Sequence, residues 1–161
     1  MDSQRVKTTE ESGRIKGYDR GKQVKSRKRH LLVDTLGLLL SVYVPPAHTS
    51  DQEGARRVLI GLHPLHPRLE RIWADGACSG EPLATWCAAD GAWRVEIITR
   101  APRVQGGVVG PWCWIVERPL GGMGRQRRLS KDYERKVQTS ETLLKRAMIR
   151  LMLRRLARSP T

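Results

Sequence analysis

The sequence predicts a mixed α/β domain closed by a long helix, and three observations carry that expectation. Short apolar runs of strand length alternate along the chain with segments of helical spacing. Prolines and glycines punctuate the boundaries between them. Near the carboxyl terminus Leu144, Met148, Leu151 and Met152 share one face of a helix expected over 140–157, capped by Thr139 and started by Glu141. At 161 residues there is room for one core and hardly for two, so 1–161 reads as a single domain, and no internal repeat is visible.

Residues 1–27 are polar, dotted with glycine and almost free of large apolar groups, which reads as a basic, irregular arm or loop. The α/β core is expected over 28–124. Its first two runs, 29–34 and 38–44, flank Thr35-Leu36-Gly37 and suggest a hairpin, and Pro45-Pro46 stops the second strand. Ser50 is a capping residue for the helix that follows. Asp51 and Glu53 suit its positive end, Ala55, Val58, Leu59 and Leu62 recur at helical spacing, and Pro64 and Pro67 end it. Residues 71–74 form a short strand that delivers Asp75, followed by Gly76. A helix over 81–89, a strand over 93–99, a Gly/Pro/Val loop over 101–111 and a short helix over 114–120 complete the core. Residues 125–161 are a basic helical region.

Thirty Lys and Arg against sixteen Asp and Glu leave a net charge of +14, which points to a polyanionic partner. Ten basic and four acidic residues lie in 1–30, twelve and three in 121–161, so the middle of the chain is close to neutral. That distribution fits a folded core that grips nucleic acid with its periphery. No run approaches the ~20 apolar residues of a membrane span, and the amino terminus lacks the apolar core of a signal peptide, so a cytoplasmic protein without a membrane partner is expected. The three cysteines, Cys78, Cys87 and Cys113, lack the paired spacing of a zinc site, and His63 and His66 sit among prolines in a helix-ending loop.

Several stretches resemble the transposases of insertion-sequence family 5. Gly17-Tyr18-Asp19, the run from Arg27 to Gly37, and Ile72-Trp73-Ala74-Asp75-Gly76 are three of them. Val116-Glu117-Arg118, the run from Arg127 to Glu134, and the tail from Ala147 to Leu156 are the others, and together they span nearly the whole chain. The resemblance implies an RNase H-like fold, a mixed sheet flanked by helices, whose three carboxylates bind two divalent ions, Mg²⁺ or Mn²⁺. Carried over motif by motif, the catalytic and metal-binding residues are Asp2, Asp75 and Glu117. Asp34 also ends an apolar run, but it opens a turn and is read as structural. Mg²⁺ prefers carboxylate oxygens, and two such ions about 4 Å apart can activate a water or a DNA 3′-hydroxyl and stabilise the leaving oxygen. The implied partner is double-stranded DNA at element ends and target, bound in a nucleoid-associated complex of one or more copies. Lys25, Arg27, Lys28, Arg125, Arg127, Arg128 and Lys131 are the expected phosphate contacts.

Two departures from the family pattern bear on activity. The chain begins at Met1-Asp2, so the first strand of the fold is expected to be missing and Asp2 to hang from a frayed end. After Glu117, Pro119, Gly121 and Gly122 stand where the family carries a helix with an aromatic pair. These departures predict a truncated or degenerate transposase portion, or one completed by an upstream transposase polypeptide. The competing expectation is a basic nucleic-acid-binding protein without catalysis.

Overall fold

In the computed structural model, which describes residues 1–19, 23–98 and 113–158, one strand organises the rest. That strand is β3 (Val24–Val33). It pairs antiparallel with β1 (Asp2–Lys7) along one edge, from Asp2 opposite Leu31 to Lys7 opposite Ser26. Its other edge carries the short β2 (Gly17–Asp19) and β4 (Leu39–Tyr43). A separate parallel pair, β5 (Arg71–Asp75) and β6 (Arg94–Ile98), completes the sheets. The Met1 ammonium donates to the Trp73 carbonyl at 2.5 Å, which ties the start of β1 to β5.

Helices cover both faces. On one side α1 (Asp51–Leu59) and α2 (Glu81–Gly91) pack with Leu32, Ile72 and Trp93. On the other, α3 (Cys113–Gly124) and α4 (Val137–Leu156) bring Leu120, Met123, Leu144 and Met148 against Leu31 and Val42. Consecutive residues Leu31 and Leu32 thus feed opposite cores, as strand alternation requires, and β3 is buried on both faces. This mixed α/β arrangement with its long final helix is the expected class and is compatible with an RNase H-like fold.

The hairpin forms as read from the sequence. Asp34 Oδ1 accepts from the amides of Leu36 and Leu38, and Gly37 takes a left-handed φ of 74°. Ser50 caps α1 by accepting from the Glu53 amide at 3.1 Å. In α4 the expected start moves. Lys136 is the N-cap and makes no side-chain cap bond, so Thr139 lies inside the helix. Glu141 reaches sideways instead, accepting from the Val44 amide at 3.0 Å.

Residues 1–27 are not an irregular arm. Their described part supplies β1, β2 and the start of β3, and residues 7–13 are tied to 132–134 through backbone bonds such as Thr9 N to Asp132 O and Asp132 N to Lys7 O. Apolar periodicity is missing there because ion pairs do the covering: Asp19 is buried against Arg5, and Arg27 against Asp132. Nor is the first acid without a strand. Asp2 opens β1 and sits in register with Leu31 rather than on a frayed end.

The helix bearing Glu117 is longer than expected and runs through Pro119. Proline deprives the Ile115 carbonyl of its usual intrahelical donor. That carbonyl faces Gly37, where an added Cβ would lie 3.1 Å from it, so a residue without a side chain lets the β3–β4 turn close on α3. A Cβ added at Gly121, Gly122 or Gly124 would meet nothing within 4 Å, so these helix-weakening residues stand where packing asks for no side chain. The loop expected over 101–111, and Trp112 beside it, lie outside the described residues.

Candidate active site

Three acids arrive from three different elements. Asp2 starts β1, Asp75 ends β5, and Glu117 lies in α3. Strand β5 carries Ile72 and Ala74 into the core on one face, so alternation sets Trp73 and Asp75 on the other. The antiparallel ladder holds Asp2 beside Leu31, on the side of β3 that α3 covers. All three acids line one cavity of about 660 Å³, whose walls also include Asp34, Leu40, Trp73 and Ile98.

Each aspartate is oriented by the amide that follows it. Asp2 Oδ1 accepts from Ser3 N at 2.6 Å, and Asp75 Oδ1 from Gly76 N at 2.7 Å, where a 3-10 turn (Gly76–Cys78) begins. Asp34, by contrast, commits its Oδ1 to two turn amides, in line with a structural role. Burial pushes the Asp2 carboxyl above its ordinary 3.8, and the charges of Asp75 and Glu117 add to the rise. The Ser3 amide and the chain's own ammonium oppose it without reversing it. Asp2 therefore responds to both other acids through space.

This set is all-carboxylate, partly desolvated and self-repelling, which suits a hard divalent cation such as Mg²⁺ or Mn²⁺. Among the described residues, no three acidic, histidine or cysteine groups are drawn together into a set that could hold one metal ion. Cys78 and Cys87 are buried free thiols, each pushed up to about 11 chiefly by burial, which disfavours the thiolate a nucleophile needs. His63 is in tilted contact with Trp93, its ring centre 6.3 Å away.

The expected phosphate contacts divide sharply. Lys25 is exposed on β3, and Arg125, Arg127, Arg128 and Lys131 are exposed in the segment between α3 and α4. Arg128 pairs with Glu134 and stacks over Tyr133 at 5.4 Å. Arg27 and Lys28 are corrections. Arg27 is wholly buried, pairs with Asp132 at 2.9 Å and also donates to the carbonyls of Ile15 and Glu134. Lys28 is buried as well, and its ammonium donates to Thr49 O and Asp51 Oδ1. Neither side chain is available to a phosphate, because each is consumed in holding β3 to its neighbours.

Sequence reasoning passed over Ser3 and Asp51. Ser3 Oγ donates to Asp51 Oδ1 at 2.8 Å, next to the Ser3 amide that holds Asp2. The only signal for Asp51 was its place after the Ser50 cap, which marks a helix start and says nothing of a contact 48 residues away.

No curated protein and no solved structure matches the chain. A family model described as the transposase DDE domain matches residues 1–152, and so runs from Asp2 through the greater part of α4. The match covers every strand, the first three helices and Asp2, Asp75 and Glu117. The chain belongs to the transposase DDE domain family.

Proposed function

We propose that this DDE domain cuts and transfers DNA strands at the ends of an insertion sequence of family 5, with Asp2, Asp75 and Glu117 holding two divalent ions, Mg²⁺ or Mn²⁺. The observation that carries the reading is electrostatic. Three carboxylates from separate elements line one cavity, where burial and, after it, the charges of Asp75 and Glu117 raise the affinity of Asp2 for a proton. A bound cation offsets both that desolvation and that repulsion. When bound, the ions supply activation of the attacking water or 3′-hydroxyl and charge stabilisation of the leaving oxygen.

The chain's own part is positional. The Ser3 and Gly76 amides each fix one aspartate oxygen, so the carboxylates are turned before substrate arrives. The exposed cations Arg125, Arg127 and Lys131 support a path for the DNA backbone, with Lys25 on a separate strand. In the cleavage step the attacking water oxygen bonds to phosphorus as the bond to the 3′-oxygen breaks; the water gives up its proton to solvent, and the freed 3′-oxygen takes one up to leave as the 3′-hydroxyl.

One observation favours a second reading, non-catalytic nucleic-acid binding: among the described residues the acids are not drawn together into a group of three. A cleavage assay on DNA carrying terminal inverted repeats, with Mg²⁺ or Mn²⁺, separates the two. Metal-dependent nicking that Asp75→Asn abolishes while DNA binding persists is the expected result. Salt-dependent binding by the native chain with no nicking under either metal overturns the proposal in favour of the second reading.

A further inference from the structure

Asp2 and Asp75 stand on strands that no backbone ladder joins, since β1 belongs to one sheet and β5 to the other. A contact between the start of β1 and β5 is the Met1 ammonium on Trp73 O. A second link runs through the first turn of α1. Asp51 Oδ1 accepts from Ser3 Oγ at 2.8 Å, and the same Ser3 donates its amide to Asp2. Asp51 O lies 3.9 Å from Cys78 Sγ, and Gln52 Nε2 donates to Ser79 O at 2.7 Å. Cys78 and Ser79 belong to the turn that Asp75 caps. The helix start thus reaches both aspartates, one through Ser3 and one through the turn after β5.

Asp51 is held for this task. Lys28 Nζ donates to its Oδ1 at 3.2 Å and to Thr49 O at 2.7 Å, and that ammonium is buried. The carboxylate's charge is therefore matched locally, and its Oδ1 takes bonds from both Lys28 and Ser3. That engagement makes Asp51 a support for the site rather than a further ligand in it.

We propose that Asp51 and Gln52 form a positioning brace which, through Ser3 and the 76–79 turn, fixes Asp2 relative to Asp75. The proposal rests on the reading of those two acids as the cleavage pair. Neither brace residue touches the cavity, so the effect is on geometry alone. Supports of this kind around metal-binding carboxylates are worth about 10–100-fold in affinity or rate when removed.

Three variants test it: Ser3→Ala, which removes one hydroxyl, Ser3→Thr, which restores it, and Gln52→Ala on the other arm. In the cleavage assay, Ser3→Ala and Gln52→Ala are expected to lower kcat about 10–100-fold, leave KM for DNA unchanged and raise the Mn²⁺ concentration needed, with Ser3→Thr near native. An unchanged kcat, or a loss confined to KM, overturns the brace. If the native chain does not cleave, the reading of the acids fails, and the brace is judged on amide exchange in the DNA-free protein. Ser3→Ala is then expected to speed exchange at Ser79 about fivefold, because loosening one arm releases the other. Unchanged exchange at Ser79 overturns it.

Discussion

Arg27 Nη1 donates to Asp132 Oδ1 at 2.9 Å, and both side chains are removed from solvent. Ser140, in the first turn of α4, donates to the same carboxylate at 2.8 Å, so strand β3 and the last helix share one buried carboxylate more than a hundred residues downstream of the arginine. Truncating one partner of such a pair leaves a charge without compensation. Asp132→Ala is expected to cost about 3–5 kcal/mol in urea unfolding, since it also takes from the Ser140 hydroxyl the carboxylate it donates to. A cost within the range of ordinary surface substitutions contradicts a structural role for the pair.

If phosphates are met by the exposed segment between α3 and α4, Arg127→Ala and Lys131→Ala each reduce the slope of log K against log salt by about 1, with the fold intact. Lys28 contributes nothing to that slope because its ammonium is spent on Thr49 and Asp51. Binding isotherms at several salt concentrations decide this, and an unchanged slope for both exposed variants removes the segment from the interface.

The raised carboxyl of Asp2 has a consequence for stability. Its folded affinity for protons exceeds its unfolded one, so its contribution is full below about 3.8 and is lost as pH rises through the higher folded value. At neutral pH the ionised group works against folding. Asp2→Asn is therefore expected to raise Tm near pH 7, with the gain shrinking as pH falls toward 3.8. Thermal melts across that range check it, and a lower Tm at pH 7 contradicts the account.

His30 is buried on the α1 face of β3, its pKa pushed down to about 4 by burial, and an added Cβ on Gly54 would lie 2.2 Å from its Nε2. Alanine in a helix ordinarily gains about 1 kcal/mol over glycine. Here Gly54→Ala is expected to destabilise by about 1–3 kcal/mol because the ring has no room to yield. Stability should also fall as pH drops from 6.5 to about 4, where the unfolded state takes the proton first. His30→Ala is expected to flatten that dependence and to rescue Gly54→Ala in a double-mutant cycle.

Much of this was legible because local chemistry carried it. The Ser50 cap, the Asp34 turn and the strand ending at Asp75 depend on residues within a few positions of one another, and all three appear as read. The amino-terminal strands were not legible. Their buried positions are closed by ion pairs, Asp19 with Arg5, Arg27 with Asp132 and Lys28 with Asp51, which no apolar periodicity marks, so a polar run hid a central strand. The full length of α3 was hidden for a related reason: the helix runs through Pro119 where the distant β3–β4 turn, at Gly37, closes on the Ile115 carbonyl, and no pattern around Glu117 contains that approach. Of the site, Asp75 and Glu117 came from the family motifs, whereas the hold on Asp2 by Ser3 and Asp51 needed the fold.

The central claim is that Asp2, Asp75 and Glu117 act as one unit in strand cleavage. Groups that act together are strongly non-additive, so removing one costs nearly as much as removing all. Single-turnover nicking rates for Asp2→Asn, Asp75→Asn, Glu117→Gln and the triple variant, measured with Mn²⁺, test it most directly. The account predicts that each single variant falls to the same floor as the triple. A single variant that cleaves at the native rate would contradict it.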